Sequence, residues 1–589
     1  MARKLPTTSP LSQQYDVIVV GSGAGGLSTA VRAAYLGLSV LVLEKTEGLG
    51  GTTAWSGGWL WIPRNPLATE AGIYEDVEAP RRYVCSEMHA DTLDVRADAF
   101  LQTGPDMVEF FATHTALRFI DGNLVPDFHQ SAGHAQGGRS VAAAPFDGRQ
   151  LGPWKHHVRP PLSVISLWGM GIASGADIRH FFNATRRVSS FLYVIKRLTR
   201  HLMDKVRFGR STQLVNGNAL VGALLKSALD LDVRLQTNAA VTALTHDDCG
   251  RVSGVEVKID GIEYSLSARQ GVVMAAGGFP HDKQRQAEQF TGNAAFGHFS
   301  AAPKDNTGDG ITMAQRVGAR IRNDLANAGA WSPVSLVPHG KEPIHFPHLI
   351  ERAKPGIIAV LPNGKRFTSE ADSYHDFMRA LFDASPKDRQ PYCWLVADHK
   401  AQRRWGLGWS KPFPFPTSYF ERTGYLKKGR TLAELASTLS LPVGVLTETV
   451  VRFNQDAKDG IDRQFQRGAS PYNRIQGDPE QTPNPSLAAL EQGPFYAVKI
   501  VPGSLGTFSG IDTNEHGQAC RTDQSVIEGL YAVGNDMSSI FGGHYPSGGI
   551  TLGPAMTFGY RVANHLAQGD RVSVSAETTQ KKENTDEIL

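Results

Sequence analysis

The sequence predicts an α/β fold in which a Rossmann-like parallel sheet is interrupted by an α+β domain and carries a helical insertion. Three observations predict it. Residues Tyr15 to Lys45 read YDVIVVGSGAGGLSTAVRAAYLGLSVLVLEK, a buried strand, a glycine turn, a small-residue helix and a second strand ending on an acid. Gly529 to Ala567 give a strand, a glycine-laden turn and a long helix at the far end of the chain. Between them, from about 334 to 504, lies mixed strand and helix with no glycine fingerprint.

The first of these segments is a βαβ unit suited to a dinucleotide. Gly21 allows the tight turn, Gly23 lets the backbone approach a pyrophosphate, and Gly26 lets helix and strand pack closely, with Ala24 and Gly25 opening the helix. That helix N-terminus presents free N–H groups and a partial positive charge to phosphates. Glu44 closes the second strand about 20 residues on, where a carboxylate accepts ribose hydroxyls. Next comes GLGGTTAWSGGWLWIPRNP, whose backbone N–H groups and Thr52, Thr53 and Ser56 hydroxyls can face a bound cofactor. Residues from about 70 to 117 read as helical. Pro160 to Ala176 are uncharged, but they contain proline and glycine and fall short of the ~20 apolar residues a spanning helix needs.

Arg186 to Arg210 carry eight Lys or Arg against the single acid Asp204, with Phe191, Leu192, Ile195, Leu198 and Leu202 at helical spacing. This amphipathic basic helix reads either as a surface or subunit-contact helix or as a reversible attachment to an anionic membrane surface. A short apolar helix follows over 216–229. Alternating segments with Asp/Gly turns then end on a strand entering Ala275-Ala276-Gly277-Gly278, and Asn306 to Gly310 form a helix-opening turn.

At 589 residues the chain is long enough for two to four domains on a prior of about 150 residues each. The expected division is a tail, 1–13; a first dinucleotide-domain segment, 14–333, with an insertion at about 133–210; a catalytic domain, 334–504; a second dinucleotide-domain segment, 505–569; and a polar, irregular tail, 570–589. A net charge of +3 implies no nucleic-acid partner. Four scattered cysteines have neither CxxC nor metal spacing, which fits free thiols in the cytoplasm and no metal site.

Taken together, YDVIVVGSGAGG, the LEK strand end, GGTTAWSGG, GVVMAAGG, NTGDG, GPFYA and GLYAVGN resemble the fumarate reductase and 3-ketosteroid dehydrogenase superfamily of FAD flavoproteins, over about residues 14 to 567. The resemblance implies FAD along the turn Gly50, Gly51, Thr52, Thr53, Ser56, Gly57 and Gly58. It places the adenine near Val241, the ribityl chain near Asn535, and the isoalloxazine at the N-terminus of the last helix. Lys45, Ala276, Gly277, Asp309, Gly534, Gly549, Thr551 and Leu552 fall at further cofactor positions. Relatives with covalent flavin carry a histidine in the loop after the βαβ unit. This loop has none, so non-covalent FAD is expected.

The same resemblance suggests the chemistry. Fumarate reductases place an arginine in the C-terminal turn, whereas this turn reads SSIFGGHYPSGG, from Ser538 to Gly549. It is similar to 3-ketosteroid Δ1-dehydrogenases, in which the matching Tyr545 and Gly549 hold the ketone oxygen and Tyr374 is the base. Those enzymes support the base with a tyrosine pair, but here Pro126-Asp127 precedes Phe128 and His129, making His129 a candidate substitute and Tyr193 a weaker one. Removal of an α proton by Tyr374 and a β hydride by FAD introduces the double bond. The expected partners are a small apolar ketone and an external acceptor, whether quinone, carrier protein or oxygen. Alternatives are a desaturase of a smaller alicyclic ketone, an ene reductase made improbable by the missing arginine, and a redox carrier without its own substrate.

Overall fold

The structure, a computed structural model, describes residues 11–586, with side chains from 11 to 569 apart from Ala176. The reading of a loose tail over the first ten residues lies outside them. In the first sheet, β1 (Gln14–Val20) runs through the glycine turn into α1 (Ala24–Tyr35) and back along β2 (Val40–Leu43). Residues 17–20 of β1 and all of β2 are unbroken apolar runs because both sheet faces are covered there. The parallel strands lie in the order Arg234–Gln236, β2, β1, Ile262–Met274, Val526–Ala532. In order of sequence that is 3-2-1-4-5, and the direction of winding reverses at β1. The crevice outside the carboxyl end of β1 is therefore where such a sheet binds its ligand. Strands Ala239–His246 and Val252–Ile259 form the antiparallel crossover between the third and fourth parallel strands.

A second, seven-stranded sheet is built around Phe495–Thr507, flanked antiparallel by Gly329–Val337 and Cys393–Ala397. Its limits differ from the expected 334–504: Phe299–Ser300 pairs onto the central strand, and that strand continues unbroken past residue 504. The strand runs through Pro502-Gly503-Ser504 without turning.

The helical stretch expected over 70–117 contains two long helices, Glu78–Met88 and Val95–His114, separated where His89 takes a left-handed φ of 50°. Beyond Gly569, read as an irregular tail, the last helix runs on to Asp586, since neither glycine nor proline interrupts it.

The insertion folds as Ala176–Asn183 and Val188–Phe208. The second helix is inverted relative to an ordinary surface helix. Ser190, Arg197, His201 and Asp204 face the protein, while Val188, Phe191, Leu192, Ile195, Leu202, Met203 and Val206 face outward, Phe191 51% and Val206 91% exposed. Burial of each such side chain would be worth ~1.5–3 kcal/mol, so the arrangement forgoes a large stabilisation. Specific polar contacts hold the inner face: Arg197 meets Asp177 at 3.2 Å, and Asp204 accepts the Thr212 hydroxyl at 2.7 Å. No helix among the described residues is long and apolar enough to cross a membrane.

Candidate active site

The glycine turn at the end of β1 is shaped by its neighbours. Gly21 has φ of +109°, and a Cβ there would lie 2.2 Å from the Ala275 carbonyl oxygen. A Cβ on Gly23 would meet nothing nearer than the Thr53 hydroxyl at 3.6 Å, leaving an open cradle over the helix N-terminus. This fits the close approach of a pyrophosphate. Thr53 Oγ1 accepts the Ala24 N–H at 2.9 Å, which fixes the Gly50–Gly58 turn against α1. Gly25 lies against Val533 and Gly534, bringing the C-terminal strand–turn onto the same helix.

Glu44 stands at the end of β2, where its carboxylate accepts the Ser22 hydroxyl at 2.6 Å and the Thr46 hydroxyl at 3.0 Å. Its backbone carbonyl accepts from Ala239 at 2.9 Å, so Val241 emerges beside it. Lys45 is directed to Asp309 at 2.7 Å and Thr307 at 2.9 Å, so these two expected cofactor residues pair with one another. Thr52 accepts from Asn306 at 3.0 Å. The N–H groups of Ala276 and Gly278 donate to Asp536 at 2.6 and 2.9 Å. Burial raises that carboxyl to about 6, against the opposing effect of the two donors. Asn535, Gly534 and Thr551 line a cavity of about 20 Å³ with Thr507 and Phe508 at the N-terminus of the last helix, which starts at Leu552.

Beyond this cradle lies a group of aromatic rings. Tyr545 is stacked on Phe128 at 5.9 Å and meets Tyr374 edge-on at 5.0 Å; Phe128 also packs on Tyr472 at 4.5 Å. The Tyr374 and Tyr545 rings are in direct contact, and Thr551 lies close enough to Tyr545 to bear on its phenol. Burial drives the Tyr374 phenol well above its ordinary range and pushes Tyr545 up to about 12. His375 beneath them is neutral, lowered to about 3 by burial, and its Nδ1 accepts the Trp331 N–H at 3.2 Å.

Each ring is positioned by a separate element. Tyr374 opens the helix Tyr374–Ala384, capped by Ser373, which accepts the Asp376 N–H at 3.1 Å. The loop before it is fastened by a buried network in which Glu370 meets Arg366 at 2.8 Å and Arg467 at 3.0 Å. Phe128 follows Asp127, which accepts from Trp61 at 2.8 Å and Arg139 at 2.7 Å. The Phe128 N–H and the Tyr83 hydroxyl both donate to the Pro546 carbonyl, at 3.1 and 2.6 Å, tying this loop to the C-terminal turn. In that turn Gly549 has φ of +102°, and a Cβ would lie 2.7 Å from the Trp61 nitrogen.

The hydrogen bonds that His129 makes go to carboxylates, one of them on the helix that Tyr374 opens. Its Nε2 bonds Asp376 at 2.7 Å and its Nδ1 bonds Glu87. Burial alone would lower its pKa, but the two carboxylates outweigh that and raise it to about 10. Tyr193 lies in the insertion, stacked on His180 at 4.3 Å.

Sequence reasoning did not single out Tyr472, Phe508 or Arg352. Arg352 is buried and donates to the carbonyls of His348, Glu370 and Asp372, and its charge lowers the Tyr374 phenol against the larger effect of burial. No local motif marks these three: Tyr472 comes from the helix Pro471–Gln476, Arg352 from the short helical turn Glu351–Ala353, and Phe508 from just past the strand Phe495–Thr507. Among the described residues no cluster could hold a metal ion, and all four cysteines are free.

A family model described as FAD binding domain matches residues 16–552. The chain is 39% identical over 560 residues, 94% of each protein, to 4-oxocyclohex-2-ene-1-carboxylate 5-dehydrogenase of Sinomonas cyclohexanicum. It is 36% identical over 580 residues to 3-oxosteroid 1-dehydrogenase of Mycolicibacterium smegmatis, covering 94% of this chain and 97% of that one. Its structure matches that of 3-ketosteroid delta1-dehydrogenase from Sterolibacterium denitrificans in complex with 1,4-androstadiene-3,17-dione, with a TM-score of 0.86 and 33% identity over 95% of this chain and 100% of that one.

Proposed function

The chain belongs to the FAD-binding domain family, and from that premise we propose that it is an FAD-dependent dehydrogenase that places a carbon–carbon double bond beside the ketone of a cyclic substrate, a 3-ketosteroid foremost. The observation that carries this reading is the aromatic group at the N-terminus of the last helix, with Tyr545, Tyr374 and Tyr472 gathered around Phe128. An uncharged, ring-lined site suits a neutral carbonyl on an apolar skeleton.

The Gly21–Gly26 turn, the Gly50–Gly58 turn and the Gly534-Asn535 segment hold FAD, which supplies the hydride acceptor when bound. The absence of histidine from the Gly50–Gly58 turn supports non-covalent attachment. Tyr545 O–H and Gly549 N–H donate to the ketone oxygen and favour the enolate-like charge that develops there, at ~3–4 kcal/mol for one such donor. Burial keeps both phenols neutral. Tyr374 takes the α proton and releases a proton to solvent, so that loss of the β hydride leaves the neutral enone.

A second reading is a desaturase of a small alicyclic ketone, favoured by the 39% identity to the oxocyclohexene carboxylate enzyme. Anaerobic mixing separates the two: the ketone that bleaches the yellow flavin, steroid or cyclohexanone, is the substrate class. If neither bleaches an intact bound flavin, the enzyme reading fails.

The electrons leave to an external acceptor. The outward apolar face of Val188–Phe208, flanked by Lys196, Arg200 and Arg207, supports reversible contact with an anionic membrane surface. Four free thiols support a cytoplasmic setting.

A further inference from the structure

A cavity of about 320 Å³ lies between the Ala54–Ser56 side of the cofactor turn and the basic helix, away from the tyrosine group. Its size is at the lower end of small-molecule sites, ~300–1,000 Å³. The apolar walls include Trp55, Leu162, Ile165 and Trp168; His201 and Lys205 contribute polar atoms from the helix. His201 is 2% exposed, and beyond its approach to the Trp168 carbonyl neither ring nitrogen has a partner. Trp168 is itself 62% exposed, and its carbonyl accepts from Lys205 of the helix at 3.3 Å. The cavity thus has flat aromatic walls, a buried unsatisfied donor or acceptor, a cation, and an exposed tryptophan held by the helix that carries the outward apolar face.

We propose that this cavity binds a quinone, the lipid-soluble acceptor that reoxidises the flavin. This rests on the dehydrogenase reading, which leaves two electrons and a proton in the reduced flavin for each double bond formed. The chain has one dinucleotide fingerprint, and among the described residues no group of side chains could hold a metal ion. A quinone accepts two electrons and two protons to become a quinol, one proton coming from the reduced flavin and the other from solvent, and the flavin returns to its oxidised form. The quinone ring lies against Trp55 and Trp168, its carbonyl oxygens accept from His201 and Lys205, and its tail follows the outward face of the helix.

Two half-reactions test this separately. A water-soluble short-chain ubiquinone analogue is mixed with ketone-reduced holoenzyme to measure reoxidation, and is titrated into oxidised holoenzyme while tryptophan fluorescence is followed. Trp168→Ala and Lys205→Ala, both at exposed positions, are expected to raise the quinone KM and Kd about tenfold, equivalent to ~1.4 kcal/mol of lost contact. The rate of bleaching by ketone is expected to stay within about twofold of the parent, since a twofold change is well under 1 kcal/mol. Unchanged quinone KM and Kd in both variants would overturn the proposal. So would slowed ketone bleaching with normal reoxidation, which would make the cavity a substrate vestibule. If no ketone bleaches the flavin, the dehydrogenase reading fails, and the fluorescence titration still decides whether a quinone occupies the cavity.

Discussion

At Tyr374 two demands conflict. A base is better the more readily it takes a proton, yet burial among rings makes the ionised phenol costly, and its pKa rises well above 10. Arg352, a buried cation held by backbone carbonyls, partly offsets this. Tyr374→Phe is expected to slow flavin bleaching by ketone ~10²–10⁴-fold with ketone binding retained; a bleaching rate equal to the parent's removes Tyr374 as base. Tyr545→Phe is expected to cost ~10²–10³-fold in the same step and to weaken ketone binding. A normal rate and affinity would remove its role at the carbonyl. His129 makes a prediction about stability. Its folded pKa, raised to about 10 by Asp376 and Glu87 against burial, exceeds its ordinary 6.5. The protonated form is the one stabilised, so the contribution is complete below pH 6.5 and is lost as pH rises through about 10. The Tm deficit of His129→Asn is therefore expected to be largest near pH 6 and to shrink toward pH 10; a deficit independent of pH would show that the carboxylates do not hold a charged ring. Tyr374, Tyr545 and Gly549 were legible because each sits in a local motif. The true partners of His129 were not, because Glu87 and Asp376 come from segments far apart in sequence.

The helix Val188–Phe208 shows what periodicity can and cannot reveal about an element. Spacing of Phe191, Leu192, Ile195 and Leu202 identified the helix and its apolar stripe, but a stripe at that spacing is equally compatible with facing in or out. Only the tertiary contacts of Arg197 and Asp204 settle the direction, and they turn the apolar side outward. An exposed face of this size calls for a covering surface. With vesicles containing anionic lipid the protein is expected to float, and Phe191→Asp with Val206→Asp, at exposed positions, to abolish flotation while leaving ketone bleaching intact. Flotation equal to that of the parent would exclude this face as the contact. The βαβ unit was more legible than the insertion, since glycine spacing and strand burial are local consequences of phosphate approach. The boundary of the second sheet was not, because Phe299–Ser300 joins it only through pairing to a strand some 200 residues later.

Across the whole molecule, the cofactor cradle is assembled from both ends of the chain. Gly25 of α1 packs on Val533 and Gly534, while Asp536 accepts the N–H groups of Ala276 and Gly278. On the proposed reading FAD bridges these segments and stabilises the folded chain by mass action, because the unfolded chain has no such cradle. At a free FAD concentration 100 times Kd this amounts to about 2.7 kcal/mol. Flavin-depleted protein is therefore expected to melt at a lower temperature than the holoenzyme, and added FAD to raise its Tm progressively with concentration. Since the Gly50–Gly58 turn offers no histidine to form a bond, acid precipitation is expected to leave the yellow colour in the supernatant. A yellow pellet, together with a Tm insensitive to added FAD, would mean that the flavin is bonded to the chain and that the Gly50–Gly58 turn is not where its attachment is decided.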